Sequence, residues 1–431
     1  MTEVVTKNNM YEIGITDSHK EKMKNKLRER FLNYLRIHTE AINGSQGFPS
    51  SEGQVVFAQI LVEELKKIGL EDVDFINGVV YATKKSNSET DHESIGFVSH
   101  IDTYPWSGNG TDPIIVEDYY GPDALRVSNK SYPNAVLSVL NECYLHHSLV
   151  ISNRKVPLGG DDKAGIAEII TAMEYLIENE ISTRNIYLAF TCDEEIGRGA
   201  NLIDFSKFIP DYTIVVDGEA AGEINISDMS VFSCGINVRG QYVFLGKAKG
   251  VMKNAIDIVY ELMDEFSEDA KPQNSENDEG FYHFSKIQGD TNNAILMCTI
   301  MSFDKEDMEK RISKLYEVCR NINNRLGSRT VSVMFPNGGY NECSIVTDDG
   351  LVRKIEKAMI SNNIECKRIK FRGVTDANIF REIGREAVTI GIGGGAFHSI
   401  FEWASINDME KITNVIITSV SYTHLTLPTT P

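Results

Sequence analysis

IGFVSHID, residues 95–102, is the stretch from which the fold can be read: a short apolar run that ends in His100-Ile101-Asp102. Three more runs share its form. Asn185 to Thr191 leads into Asp193-Glu194-Glu195, Tyr212 to Val216 into Asp217-Gly218, and Ala387 to Ile392 through Gly393-Gly394-Gly395 to His398. Helix-like segments such as Ala164 to Ile177 alternate with these runs, the rhythm of βα units. The four runs are therefore expected in one mostly parallel, doubly wound sheet of an α/β domain. Ahead of them, Glu21 to Leu35 reads as a helix. So does Gly53 to Ile68, with Val56, Ile60, Leu61 and Leu65 at helical spacing.

From about Asp228 to Met334 the pattern changes. Strand (Val231 to Val238), helix (Lys249 to Phe266), strand (Phe281 to Gln288), strand (Ala294 to Met301), helix (Lys305 to Leu326) and strand (Thr330 to Phe335) follow in the β-α-β-β-α-β order of a ferredoxin-like unit. Val251, Ala255, Ile258, Val259, Leu262 and Phe266 form the core stripe of the first helix. Met308, Ile312, Leu315, Val318 and Ile322 form that of the second. The expected organisation is an α/β domain (20–226 and 339–420) interrupted by an α+β insert (227–338). Residues 421–431, SYTHLTLPTTP, break the preceding helical pattern and read as a non-native or disordered tail.

Composition narrows the function. At ~150 residues per domain, 431 residues suggest two to three domains. With 43 Lys and Arg against 62 Asp and Glu, the net charge of -19 opposes binding to nucleic acid or an anionic membrane. No apolar run approaches the ~18 residues of a membrane span. The amino-terminal residues lack the ~7 to 15-residue apolar core of a secretory signal, so a cytoplasmic protein is expected. Seven dispersed cysteines without a CxxC pair argue against a disulfide framework and a thiolate zinc site.

In open α/β sheets ligands bind beyond the carboxyl ends of the strands. Four strand ends here offer His or carboxylate, and Gly159-Gly160-Asp161-Asp162 places acids in a tight turn opening a helix. Singly, each has an ordinary explanation: a DEE run as a solvated turn, an Asp as a helix N-cap. Together they would repel one another in a cleft unless a cation lay between them. Imidazole and carboxylate without thiolate suit a catalytic Zn, Co or Mn site. In extended chain, His100 and Asp102 share a face, so Asp102 can accept the second ring N–H of a ligating His100. Adjacent Glu194 and Glu195 point apart, one to a metal and one free to take a proton from water. Asp161, in its Gly-rich turn, can approach two cations and bridge them. Gly393-Gly394-Gly395 without a following GK[ST] is a weak phosphate-loop signal.

These residues, with ERFLNYL, PSSEGQ, IGFVSHIDT, LGGDDKAGIAEIITA, DEEIGRGA, VVDG, KGVMKNA, EGFYH, RGVTD and GGGAFH, resemble the peptidase T family of bacterial tripeptide aminopeptidases. That family falls within the dinuclear zinc exopeptidases and deacylases that include carboxypeptidase G and desuccinylases. The resemblance covers roughly Lys26 to Val420. It implies two zinc ions held by His100, Asp161, Glu195, Asp217 and His398, with Asp161 bridging. It further implies Glu194 as general base, Asp102 orienting His100, and Arg372 meeting a substrate carboxylate. The reaction implied is attack of a metal-activated hydroxide on the carbonyl of a small peptide, and the insert is implied to be a lid and dimerisation domain.

Two positions depart from the family pattern. Val243-Phe244-Leu245-Gly246 stands where the family has a His-Pro-Gly that holds the developing oxyanion, and Met301 stands where it has an arginine. Losing one oxyanion donor costs about 2.7–4 kcal/mol. Lys247 or Arg239 is a candidate substitute, Lys247 being three residues past Phe244. Besides a tripeptide aminopeptidase, two readings stay open: a non-hydrolytic metal- and peptide-binding protein, and a deacylase or carboxypeptidase-type amidohydrolase.

Overall fold

The computed structural model describes residues 17–88, 93–106, 112–125, 131–335, 340–341, 345–346 and 349–421. Beyond Ser421, the tail expected over 421–431 lies outside the described residues. The chain divides into two compact units. One comprises the described residues of Met1–Ile226, Val346–Ile369 and Thr375–Pro431; the other comprises those of Ser227–Ile345 and Lys370–Val374.

The first unit opens with α1 (Asp17–Leu35), α2 (Glu52–Ile68), β1 (Glu71–Ile76), β2 (Val79–Lys84) and β3 (Ile95–His100). Then come β4 (Ile114–Val116), α3 (Asn134–Cys143), β5 (Leu149–Ile151), α4 (Gly160–Glu178), β6 (Ile186–Thr191), β7 (Tyr212–Gly218) and β8 (Glu223–Asp228). The second unit holds β9 (Ser230–Arg239), α5 (Ala255–Asp264), β10 (Phe281–Gly289), β11 (Asn293–Ser302), α6 (Lys305–Leu326), β12 (Val331–Met334) and β13 (Tyr340–Asn341). The chain ends with α7 (Asp349–Ser361), β14 (Lys367–Phe371), α8 (Asp376–Glu382), β15 (Ala387–Gly391), β16 (Gly394–Gly395), β17 (Trp403–Ser405) and α9 (Ile406–Val420).

The large sheet has the order β1-β2-β6-β3-β7-β15-β8-β14. Its centre, β6-β3-β7-β15, is parallel and consists of the four strands expected from the sequence. Every residue of β3 is buried, as befits a strand covered on both faces. On one face Phe97 packs with residues of α1, α2, α4, α7 and α9; on the other Val98 packs with Phe208, Ala377 and Phe380. Register sets the site. His100 pairs with Thr191, so β3 and β6 end level and the acidic loop after β6 begins beside the histidine. Gly165 lets α4 approach the sheet: a Cβ there would stand 2.2 Å from the Val216 carbonyl oxygen.

A small antiparallel sheet, β16-β17-β5-β4, was not foreseen. It has its own core of Tyr119, Leu149, Ile151 and Trp403, and its β16–β17 connection carries His398. Three-residue strands give too short an alternation to be read from sequence.

The second unit is an antiparallel sheet, β10-β11-β9-β12, with β13 added against β9. The order 4-1-3-2 over a β-α-β-β-α-β chain is ferredoxin-like. Its core contains the expected Ala255, Ile258, Val259, Leu262 and Phe266 from around α5, and Met308, Leu315, Val318 and Ile322 from α6.

Two local expectations fail. Helix α5 begins at Ala255 rather than Lys249, because Asn254 caps it by accepting from the Ile256 N–H and Gly250 turns the chain at φ +75°. Val251 is thus outside the helix and exposed. In α2 the buried stripe is Phe57, Ala58, Leu61 and Leu65, while Val56 and Ile60 are exposed, so the core face is rotated from the one expected. Cys192, Cys234, Cys298 and Cys319 are buried, and the cysteines described are free thiols.

Candidate metal centre

The structure brings seven of the nine expected site residues together in the first unit. His100, at the end of β3, has Nε2 2.9 Å from Asp161 Oδ1 and 3.4 Å from Asp217 Oδ1. His398 has Nε2 3.1 Å from Asp161 Oδ2 and 2.9 Å from Glu195 Oε1. Two groups result, His100–Asp161–Asp217 and Asp161–Glu195–His398, each with its ligand atoms within 4.8 Å of one another. Asp161 belongs to both, with one carboxylate oxygen turned to each.

The non-helical opening of α4 gives Asp161 this reach. Asp161 (φ -76°, ψ 108°) and Asp162 (φ -118°, ψ 32°) are not helical, so Asp161 projects from the sheet edge instead of running along the helix. Buried Asp162 faces the sheet, accepting from the His100 N–H at 3.1 Å and from the Ser99 hydroxyl. The loop after β6 is anchored by Asp193, which accepts from the Ser50 N–H and hydroxyl, from Gln54 and from Arg198. PSSEGQ thereby acquires a structural meaning, since Ser50 and Gln54 lie in it.

Asp102 differs from expectation in one respect. His100 Nδ1–H donates to the Asp102 backbone carbonyl at 2.9 Å, with the carboxylate Oδ1 at 3.6 Å. The carboxylate accepts instead from the Glu194 N–H (3.0 Å) and the Glu195 N–H (3.1 Å). Asp102 thus orients the ring through its main chain and holds the two glutamates through its side chain.

The electrostatics fit divalent cations. Burial raises the carboxyls of Glu195 and Asp217 to about 7, with the Asp161 charge adding to both. Burial also lifts Glu194 well above the carboxylate range, aided by Asp217, Asp376 and Glu195 against the pull of His100. Burial would lower His398, yet its bonds to Asp161 and Glu195 push it up to about 11. Asp161, though buried, is held low by the two imidazoles. Protons are therefore standing in for positive charge between crowded acids. Glu195 Oε1 is buried, and its close neighbour is the ion-paired His398 Nε2 at 2.9 Å. All ligand atoms are imidazole nitrogen or carboxylate oxygen, a donor set that fits Zn, Co or Mn.

Arg372 and Lys247 belong to the second unit. Arg372 Nη1 donates to the carbonyls of Asn277 (2.6 Å) and Glu279 (2.9 Å), and Nη2 to Ser275 Oγ (2.9 Å). Its guanidinium pins the 275–279 loop, and its two terminal nitrogens are engaged there. Lys247 closes the turn Leu245–Lys247 and is exposed; Phe244 is 72% exposed. The Gly393 and Gly394 N–H groups both donate to the Glu219 carbonyl, so the triglycine does not offer them to a phosphate.

Asp376 and Glu402 were not foreseen. Asp376 accepts from the Ala200 N–H (2.7 Å) and Thr191 Oγ1 (3.1 Å), holding the segment after the acidic loop. Its signal was the acid in RGVTD. Glu402 offered none, since a lone acid between aromatics has no distinguishing neighbours in sequence.

The family model described as Peptidase family M20/M25/M40 matches residues 159–421. A protein named Peptidase T from Geobacillus sp. (strain WCH70) is 37% identical over 406 residues, covering 92% of this chain and 98% of its own. Peptidase T from Clostridium perfringens (strain ATCC 13124) is 36% identical over 396 residues, covering 91% and 97%. Among solved structures, a tripeptidase from Staphylococcus aureus aligns with a TM-score of 0.71 at 19% identity, covering 92% of this chain and 97% of its own. Aminopeptidase PepT from Bacillus cereus ATCC 10987 gives 0.66 at 19% identity, covering 92% and 98%. At that identity the structural likeness is one of fold.

Proposed function

This chain belongs to peptidase family M20/M25/M40, and from that premise we propose that it is a metal-dependent aminopeptidase releasing the amino-terminal residue of tripeptides. The observation that carries the reading is the sharing of Asp161 between His100 and His398, which makes one carboxylate common to two ligand groups. The residues present would hold two divalent ions, zinc by the donor set, with cobalt or manganese as alternatives. Bound there, such ions polarise a peptide carbonyl and acidify water.

The chain's own contribution is proton handling and orientation. Glu194 is buried beside the cluster without being part of either ligand group, so it can take the proton of the attacking water and deliver it to the leaving amine. Its raised carboxyl pKa suits that exchange. Asp102 fixes Glu194 and Glu195 through consecutive amides, so base and ligand keep a constant separation. Phe244 cannot donate to an oxyanion, and Lys247, exposed three residues further on, is proposed as the replacement cation from its place in the sequence alone. Arg372 is proposed as the contact for a substrate carboxylate on the resemblance of its sequence, and would have to exchange bonds to the 275–279 loop for that contact.

The second unit is proposed to act as lid and dimerisation domain, on the resemblance of its sequence. No described helix is long and apolar enough to cross a membrane. A cytoplasmic location is proposed from the sequence. No structural observation favours the non-hydrolytic or deacylase reading.

The test is amino-acid release from Ala-rich tripeptides, including members with blocked termini, with and without chelator. Activity should require a free amino terminus and vanish with chelator. Glu194→Ala should lose at least about 100-fold in kcat while still binding metal. Undiminished hydrolysis in that variant would remove Glu194 from the mechanism.

A further inference from the structure

The turn that carries Asp161 is held by a carboxylate from far along the chain. Glu402 is 1% exposed. Its Oε1 accepts from the N–H groups of Gly160 (2.7 Å) and Asp161 (3.2 Å), and its Oε2 accepts from Gly159 (3.1 Å). Three consecutive amides thus converge on one side chain at the start of α4, where the local sequence supplies no side-chain cap. The turn is shaped to admit it. Gly159 has φ +73°, and a Cβ on Gly160 would stand 3.2 Å from Glu402 Oε1.

Glu402 also lies four residues after His398, on the connection between β16 and β17. Its backbone is tied at both ends: its N–H donates to Ser399, and its carbonyl accepts from Ser152. One residue therefore joins the segment bearing His398 to the turn bearing Asp161, and those two residues meet in the same ligand group. An ordinary helix cap would come from the preceding residue and would leave this distance to chance.

We propose that Glu402 is a positioning residue that fixes the spacing of Asp161 and His398 and so sets the divalent-ion affinity of the group they form with Glu195. The proposal rests on the metal-dependent reading of the site, which it deepens by a residue that touches neither ion nor substrate. The carboxylate offers both oxygens as acceptors. Glu402→Gln keeps the shape but turns one of them into a donor facing an amide.

The experiment is titration of the full chain, stripped by chelator, with Co²⁺, whose visible absorption reports ligand geometry. Glu402→Gln should bind Co²⁺ about 10–100-fold more weakly, with a changed absorption band. Its KM for a tripeptide should move less than about twofold while kcat falls with metal occupancy. A residue that merely caps α4 would lower Tm and leave the affinity and spectrum of the folded protein untouched, and that result would overturn the proposal. Should Glu402→Gln fail to fold, Gly160→Ala presses on the same contact from the other side. It should shift Co²⁺ affinity in the same direction, and wild-type affinity there would equally overturn the proposal. A wild-type chain that binds two Co²⁺ yet cleaves no tripeptide would defeat the aminopeptidase reading and leave the role of Glu402 to the titration. A wild type that binds none would defeat both.

Discussion

Tyr104 and His398 lie face to face, with ring centroids 4.1 Å apart and planes 14° from parallel. His398 needs such support. Its backbone is left-handed (φ +58°), its side chain is 41% exposed, and its Nε2 must meet both Asp161 and Glu195. An imidazole open to solvent would otherwise turn about its own χ angles, and Tyr104 closes one face.

Tyr104→Ala should therefore weaken divalent-ion binding by the Asp161–Glu195–His398 group and spare the His100–Asp161–Asp217 group. A ring–ring contact of this kind is worth about 0.5–1.5 kcal/mol, a factor of about 2–12 in affinity. A Mn²⁺ or Co²⁺ titration should show the shift in one class of site only, that of Asp161–Glu195–His398. Equal weakening of both classes would assign Tyr104 a general structural role.

Asp102 separates two functions that a histidine-acid pair usually combines. Its carbonyl serves the His100 ring and its carboxylate serves the amides of Glu194 and Glu195. Asp102→Ala preserves the carbonyl, so ligation by His100 should survive while the glutamates lose their anchor. The expected result is a kcat reduced about 10–100-fold with a smaller change in metal affinity. Loss of metal with no separate effect on kcat at saturating metal would show that the carboxylate acts on the ring after all.

These distinctions mark where sequence stops being informative. The four central strands and their order of chemistry were legible because each is a short apolar run with His or acid at its end, and parallel strands carry such residues to one edge. The ferredoxin-like unit was legible because its two helices are long enough for the 3.6-residue period to emerge. Asp193, Asp376 and Glu402 were not, since each acts on backbone amides remote in the chain: Ser50, Ala200 and Gly160. A residue's choice between main-chain carbonyl and carboxylate, as at Asp102, depends on tenths of an ångström. The start of α5 was missed for a plainer reason: Val251 matches the apolar spacing, and periodicity does not see the cap at Asn254.

The segment after the acidic loop has little tolerance. Gly199 has φ +36°, and a Cβ there would fall 2.1 Å from Asp376 Oδ1. That oxygen already accepts from the Ala200 N–H, so it cannot withdraw without losing a buried bond. Gly199→Ala should destabilise the chain by about 1–3 kcal/mol, seen as a lower denaturant midpoint. A midpoint equal to wild type would mean that Asp376 is free to move.

Glu168 provides a pH signature away from the ligands. It lies in α4 with no exposure, and neither carboxylate oxygen finds a hydrogen-bond partner among the described residues. Burial holds its carboxyl well above the usual 4.5, with Asp162 and Asp408 reinforcing the shift. Above pH 4.5 the unfolded chain releases this proton while the folded chain retains it. The folded state then binds more protons, and stability must fall as pH rises toward the folded pKa. Glu168→Gln removes the titration and keeps the shape. Its advantage over wild type should therefore grow between pH 5 and 8, by up to about 1.4 kcal/mol per pH unit. Urea midpoints measured with chelator in both samples isolate the effect from metal binding. A difference that stays constant across that range, or a variant that becomes progressively less stable than wild type, would show that Glu168 ionises in the folded chain.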